Sequence, residues 1–376
     1  MELLKPGVTI DFLRHRKTFA TASIVLMIAS FASLFYPGPN FGIDFKGGTE
    51  LEIEFPGEIG SGEVRQTVAS LGYVNPEVIE VVGSERRFII RIQEVSSLPA
   101  DQVARIETGL KKALGEVQVE QLRVSPGGDK ISLRLSAAAE PDTIAEALRA
   151  AGAKVRGVSP FGPQESHRYE ALLAGVGDEA IRGIKEKLGE RAPESALRIE
   201  WVGPKAGEQL RDAAIKSMLY AIAFIMVYVA FRFDLRFAPG GVIAMVHDAL
   251  ITVGLFVLLR KEVNLATVAA LLTVVGYSIN DTIVVYDRIR ENMQRMRDVG
   301  LYQLINVSTS QTLSRTVVTS LTTLVSITGF FVWGTPVIRD IVFALFIGFL
   351  IGTYSSIYIA APFTEWMDRR YFRSGA

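Results

Sequence analysis

The chain has 376 residues, 49% of them hydrophobic, with no Cys, three His and 40 basic against 40 acidic side chains. Without Cys there is no disulfide framework, thiol nucleophile or Cys-type zinc site, and with neither H-E-x-x-H nor G-x-x-x-x-G-K-[ST] there is no sign of a metal, a cofactor or nucleotide hydrolysis. The even charge hides two opposites, 22 basic and 28 acidic residues in 37–212 against 18 and 12 elsewhere, and the apolar runs of the second part exclude an ordinary soluble enzyme and a disordered chain alike.

After a basic N-terminus (1–17), residues 18–36 form an apolar run long enough to cross about 30 Å of hydrocarbon. A cleaved signal peptide also starts basic and continues apolar, but this run is of full spanning length. It leads into Pro37-Gly38-Pro39 with no small-x-small cleavage site, which favours an uncleaved anchor. Residues 37–212 follow, too many for a loop. Alternation in Thr49–Phe55, helical spacing in Glu63–Leu71 and alternation near Val78–Val82 and Arg87–Ile92 predict β-α-β-β. A helix over Ala100–Leu114 and a strand over Val117–Val124 complete β-α-β-β-α-β. Pro126-Gly127-Gly128-Asp129 marks a turn. The order then recurs as strand Lys130–Leu135, helix Pro141–Ala151, strands Lys154–Val158 and His167–Ala174, helix Asp178–Leu188 and strand Ala196–Val202. Two ferredoxin-like α+β units are expected, 37–125 and 126–203, without a catalytic constellation. His167 reads as a solvated strand residue rather than a base.

Residues 213–286 carry three more spans, Ser217–Phe231, Phe237–Leu259 and Val263–Tyr286; the first is short, but Lys216 and Arg232 can snorkel to its two interfaces. Thr316–Ile338 and Ile341–Phe363 follow a loop over 287–315, and 364–376 closes the chain. The expectation is a polytopic protein of six transmembrane helices with a large α+β region between the first two. Fourteen of the 18 basic residues outside 37–212 fall on the side of the N-terminus, so both termini are expected inside and 37–212 outside. In 287–314, Arg288, Arg290, Arg295 and Arg297 alternate with Ile289, Met293, Met296 and Leu301, which fits either an interfacial helix or a partner contact.

Charged groups at membrane depth cost roughly 2.5–3.5 kcal/mol, so those retained there are functional candidates. Asp281 lies in Gly276-Tyr277-Ser278-Ile279-Asn280-Asp281-Thr282, and Tyr277, Ser278, Asp281, Thr282, Val285 and Arg288 share one stripe, with Asn280 beside them. Arg315 leads the fifth span from the same side and is the expected cation, on a helix bearing Thr316, Thr319, Ser320, Thr322, Thr323 and Ser326. An acid alternating between protonated and Arg-paired states suits a proton path; the bland reading is a static ion pair that joins two helices. His247 and Asp248, near the middle of the third span, fit transport or helix packing equally.

The pattern resembles the SecF family, the smaller subunits of SecD–SecF protein-export complexes in the resistance-nodulation-division (RND) superfamily. The resemblance rests on Phe41-Gly42-Ile43-Asp44-Phe45-Lys46-Gly47-Gly48-Thr49 and on Val202-Gly203-Pro204 with Gly207, Leu210 and Arg211. It continues in His247-Asp248, Asn280-Asp281-Thr282, Asp287-Arg288-Ile289-Arg290-Glu291-Asn292 and Gln311-Thr312-Leu313-Ser314-Arg315-Thr316. It implies ion coupling at Asp281 and Arg315, a SecD-like partner, the SecYEG channel, a translocating polypeptide and the bacterial inner membrane, with no nucleic acid and no enzymatic step. A small-molecule exporter of the superfamily and a passive channel scaffold are the rivals. The outer block exceeds the single unit usual in that family, with the extra material within 125–195. Gly47-Gly48 reads as backbone geometry, not as a catalytic role for Asp44 or Lys46.

Overall fold

The computed structural model describes residues 8–73, 75–81, 84–94, 100–115, 117–125, 130–334 and 336–372; the turn expected at 126–129 lies outside them. Two compact units result, Ile43–Arg211 and the combination of Met1–Gly42 with Asp212–Ala376. Along the chain the elements are α1 (Arg16–Ser33), β1 (Asn40–Phe41), α2 (Ile43–Lys46), β2 (Gly48–Glu54), α3 (Ser61–Ala69), β3 (Glu77–Glu80) and β4 (Arg87–Ile92). Next come α4 (Ala100–Ala113), β5 (Val119–Val124), β6 (Lys130–Leu135), α5 (Pro141–Ala150), β7 (Val155–Pro160), β8 (Arg168–Leu173), α6 (Val176–Leu188) and β9 (Ala196–Val202). Helices dominate the remainder: α7 (Pro204–Arg232), α8 (Ala238–Leu258), β10 (Glu262–Val263), α9 (Leu265–Arg295), α10 (Leu301–Trp333), α11 (Pro336–Ser355) and α12 (Ala361–Met367).

In the unit 43–211, Gly47 and Gly48 at φ +77° and +128° turn the chain from α2 into β2. A Cβ on Gly48 would lie 2.7 Å from the Ile92 carbonyl oxygen, and one on Gly47 2.8 Å from Pro204 Cα, so only glycine serves. Gly48 is in register with Val202, which brings the leading signature beside Gly203-Pro204 at one end of the sheet. Eight strands form two antiparallel sheets, ordered β3-β4-β2-β9 and β5-β6-β8-β7. The elements lie close to their expected positions, but they do not pair as consecutive units divided at 125. Central β2 takes β9 from the far end of the block, and β5 joins β6 of the other sheet.

The helices exchange in the same way. Val176, Ala180 and Ile184 of α6 pack with Leu51, Phe88 and Ile90 of the first sheet, while Ile106 and Leu110 of α4 pack with Ile131, Leu133 and Tyr169 of the second. Glycines on α6 fit this pairing: a Cβ on Gly177 would meet Ile199 at 2.7 Å and Leu51 at 3.1 Å, so the helix lies closer to β2 and β9 than one with side chains there could. Each fully buried Leu or Ile contributes about 1.5–3 kcal/mol, and the two cores share no residue. Lys154 and Glu179, 2.5 Å apart, and the pair Arg156–Asp178 tie the second sheet to α6.

Among the described residues, five helical stretches are long and apolar enough to cross a membrane: Pro204–Arg232, Ala238–Leu258, Leu265–Arg295, Leu301–Trp333 and the run Ile338–Phe372. The 18-residue α1 packs on α8 through buried Ser30 and Ser33 at Gly254, and Ser23 Oγ lies 2.9 Å from Tyr354 Oη, while Ile24, Val25, Ile28 and Phe31 are exposed. Gly348 and Gly352 of α11 sit against Val274 and Ser278 of α9, where a Cβ on Gly352 would lie 2.9 Å from Ser278 Cβ. That spacing is the small-xxx-small device for close helix approach. A π-turn at Ser356–Ala360 precedes Pro362, whose missing N–H breaks the regular ladder.

Two expectations change here. Helix α7 starts at Pro204 rather than Ser217. The segment 287–315 forms no separate interfacial helix: α9 runs on to Arg295 and α10 begins at Leu301. Ile289 and Leu301 are instead buried with Leu13, Phe233, Phe237, Tyr286 and Ile305, because an apolar face that finds protein partners leaves the membrane surface. Asp11 seals this end, its Oδ1 accepting from Tyr302 Oη at 2.8 Å, Asn306 Nδ2 at 2.8 Å and Arg14 N at 3.1 Å. The bond from Tyr302, above all, holds the Asp11 carboxyl below its usual range.

Candidate functional site

Two acids lie buried among the central helices α8, α9 and α11. Asp248 is fully enclosed, and both of its carboxylate oxygens are partnered. His247 Nδ1 lies 2.7 Å from Asp248 Oδ1, Ser355 Oγ donates to Oδ2 at 2.6 Å, and Ser278 Oγ donates to the same oxygen. Thr252 Oγ1 donates to the Asp248 carbonyl at 2.7 Å. Three helices thus meet at one carboxylate. His247 stacks on Tyr354 with ring centroids 6.1 Å apart, and its Nε2 is buried without a partner among the described residues.

Asp281 sits three residues beyond Ser278 on α9, about 4.5 Å along the axis, and is built differently. It is 3% exposed, and its Oδ2 is buried with no hydrogen-bond partner among the described residues. The hydroxyls of Ser320 and Thr353, 2.7 Å from each other, face its carboxyl. Arg315 is exposed, with no direct ion pair to Asp281 among the described residues. A buried polar atom left unsatisfied costs about 1–3 kcal/mol, so packing alone does not account for this position. The group can take up or release a proton, two hydroxyls can rotate toward it, and a long cation stands within reach.

The rest of the expected seam divides. Thr282 is buried with its Oγ1 unpartnered among the described residues, Tyr277 is half-buried with its hydroxyl 3.4 Å from Thr323 Oγ1, and Arg288 pairs with Glu291 at 2.8 Å. Asn280 is exposed: one residue is about 100° of helical turn, which carries it off the buried face. On α10 only Thr316 and Ser320 of the expected hydroxyls are buried, while Thr319, Thr322 and Ser326 return theirs to carbonyls of their own helix at 2.8–2.9 Å. Thr353 and Ser355 of α11 are not among the expected residues, although Gly352-Thr353-Tyr354-Ser355-Ser356 is as polar as the stretch around Asp281. Gly42 backs onto the Glu262 side chain, and Asp44 and exposed Lys46 belong to the short α2. His167 precedes β8 at φ +44°, just outside the strand, and rather than being solvated it is half-buried with its Nδ1 unpartnered among the described residues.

A family model described as "Protein export membrane protein SecD/SecF, C-terminal" matches residues 184–370, and one described as "SecD/SecF GG Motif" matches residues 32–55 around Gly47-Gly48. The Protein translocase subunit SecF of Magnetococcus marinus is 37% identical, covering 98% of this chain and 95% of that one. Its counterpart in Vibrio alginolyticus is 33% identical, covering 96% and 90%. The crystal structure of SecDF, a translocon-associated membrane protein from Thermus thermophilus, superposes with a TM-score of 0.65 at 29% identity over 96% of this chain and 39% of that one. With relatives matched over nearly the whole of both chains, and the glycine pair where the family motif falls, this chain belongs to the SecF family.

Proposed function

We propose that the chain is the SecF subunit of a Sec protein-export machinery and uses the proton motive force to promote translocation and release of secreted polypeptides on the periplasmic side. The observation that carries this is Asp281, a buried acid with one oxygen unpartnered among the described residues, the hydroxyls of Ser320 and Thr353 facing it, and no direct ion pair to Arg315 among the described residues. A unit charge crossing the membrane field gains roughly 2.3 kcal/mol per 100 mV. Protonation of Asp281 would release the pull on Arg315 and favour a second arrangement of the helices, the two-state element that coupling requires.

In this reading α1 is a sixth span, both termini are cytoplasmic, and the unit 43–211 stands in the periplasm of a bacterium as two ferredoxin-like sheets. A SecD-like subunit supplies the opposing half, SecYEG the channel and the secreted chain the load; no covalent chemistry is involved. The full set of partners around Asp248 favours packing for that acid and ion coupling for Asp281. Replacing Asp281 with Asn should abolish the gradient-dependent part of precursor export while membrane levels of this chain and its SecD-like partner stay normal. Wild-type export at normal abundance would overturn the coupling and leave a passive scaffold.

A further inference from the structure

A cavity of about 540 Å³ opens on the lipid-facing side of the helical unit between α1, α8 and α12. Its walls are apolar: Ile24 and Met27 from α1, Ile243 from α8, and Phe363 and Trp366 from α12. Its mouth is not. Arg16, Lys17 and Arg369 gather there around one acid, Glu365. Glu365 Oε2 lies 2.5 Å from Arg16 Nη1, and its Oε1 lies 2.7 Å from Arg369 Nη2. A single buried carboxylate therefore holds two guanidinium groups side by side, and with Lys17, which makes no ion pair among the described residues, the mouth carries three positive charges against one negative.

From Arg16 to Met27 is about 16 Å of helix, roughly half the thickness of a bilayer core. The groove thus runs from a cationic rim into one leaflet. His247 lines its inner wall, and the hydroxyl of Tyr354, on which that ring stacks, lies 3.1 Å from the Phe19 carbonyl and 2.9 Å from Ser23 Oγ. A cationic mouth followed by apolar walls is the order of an anionic lipid molecule.

We propose that this groove binds an anionic phospholipid, with the phosphate at Arg16, Lys17 and Arg369 and an acyl chain along Ile24, Met27, Phe363 and Trp366. The site is independent of ion coupling at Asp281. The test uses the chain purified with its partner subunit and placed in nanodiscs. These carry phosphatidylglycerol or phosphatidylcholine, each with the same photoreactive acyl chain, and the labelled peptides are mapped by mass spectrometry. Phosphatidylglycerol should label the peptides holding Ile24–Met27 and Phe363–Trp366 preferentially, whereas exposed Leu321 and Val325 of α10 should show no headgroup preference. Lys17→Gln should lower the preference about fivefold, the effect of one cation at a membrane surface, and Lys17→Gln with Arg369→Gln should remove it. Equal labelling by the two lipids overturns the proposal, as does a preference at α10 as large as at the groove. Loss of labelling on adding glycerol 3-phosphate would show that the headgroup alone is bound and would overturn the acyl-chain part. If the double variant fails to assemble, the wild-type comparison and the single variant decide.

Discussion

The two units of this chain invert each other's polarity. In 43–211 the cores are Leu, Ile, Val and Phe, and the charges lie outside in ion pairs; the exception, Glu50 at 6% exposure, receives Arg91 at 2.7 Å and Arg198 at 3.2 Å. In the helical unit a buried apolar cluster remains around Phe237 and Tyr286, but many Leu, Ile and Phe side chains, among them Ile28, Phe31, Leu219, Phe224 and Leu321, point outward while His247, Asp248, Ser278, Asp281, Thr282 and Ser355 are enclosed. Water rewards the first arrangement through apolar burial. Lipid offers no such reward, so small residues and hydrogen bonds hold the second together. Within it, partnering separates the two acids: Asp248 has both carboxylate oxygens engaged, and Asp281 has one oxygen without a partner among the described residues.

The comparison can be broken at its strongest point by Asp248→Leu, which leaves Ser278, Ser355 and His247 without their acceptor. A loss of about 4 kcal/mol is expected, in the range for breaking a buried polar network, read as a large fall in thermal stability in detergent; a near-neutral result would mean that the buried polar groups are only tolerated. The mirror experiment, Ile131→Ala, should cost about 3 kcal/mol. Hydrogen exchange should show protection lost in β5–β8 and retained in β2, β4 and β9, because the cores are separate. Protection lost equally in both sheets would show the unit to be one cooperative block. The smallest effect is expected from Tyr302→Phe, which removes the main cause of the lowered Asp11 value. A carboxyl depressed in the folded state stabilises above its unfolded value of about 3.9, and that contribution fades as pH falls through the folded value. The variant should therefore be slightly less stable than its parent at pH 7, by under about 1 kcal/mol for so exposed a pair, with the difference shrinking at acid pH. An equal difference at both pH values would assign the effect to packing of the Tyr302 ring.

Helices and strands were legible because period 2 and period 3.6 survive in single segments: β6 and β9 run over the residues expected, and α5 ends one residue earlier. Strand pairing was not, since the consecutive and exchanged arrangements use the same elements and the same alternation. What separates them is the fit of Gly177 against Ile199 and Leu51, a contact between residues far apart in sequence. Asp281 was legible from depth alone. Its neighbour Asn280 was grouped with it by adjacency, and the helical angle sends it the other way. Thr353 and Ser355 went unread because their span holds no charge to draw attention, although their hydroxyls complete both acid sites.

The exchange between the sheets also sets an order of events during synthesis. All the strands and core side chains of the second sheet lie within residues 106–173, so it can close while the first still lacks α6 and β9. Until Val202 has emerged, β2 has β4 on one side and an open hydrogen-bonding edge on the other, the kind of edge that invites a foreign strand. Early completion of the inserted sheet would shorten the stretch of loose chain near that edge, so the nested topology permits folding from the inside outward.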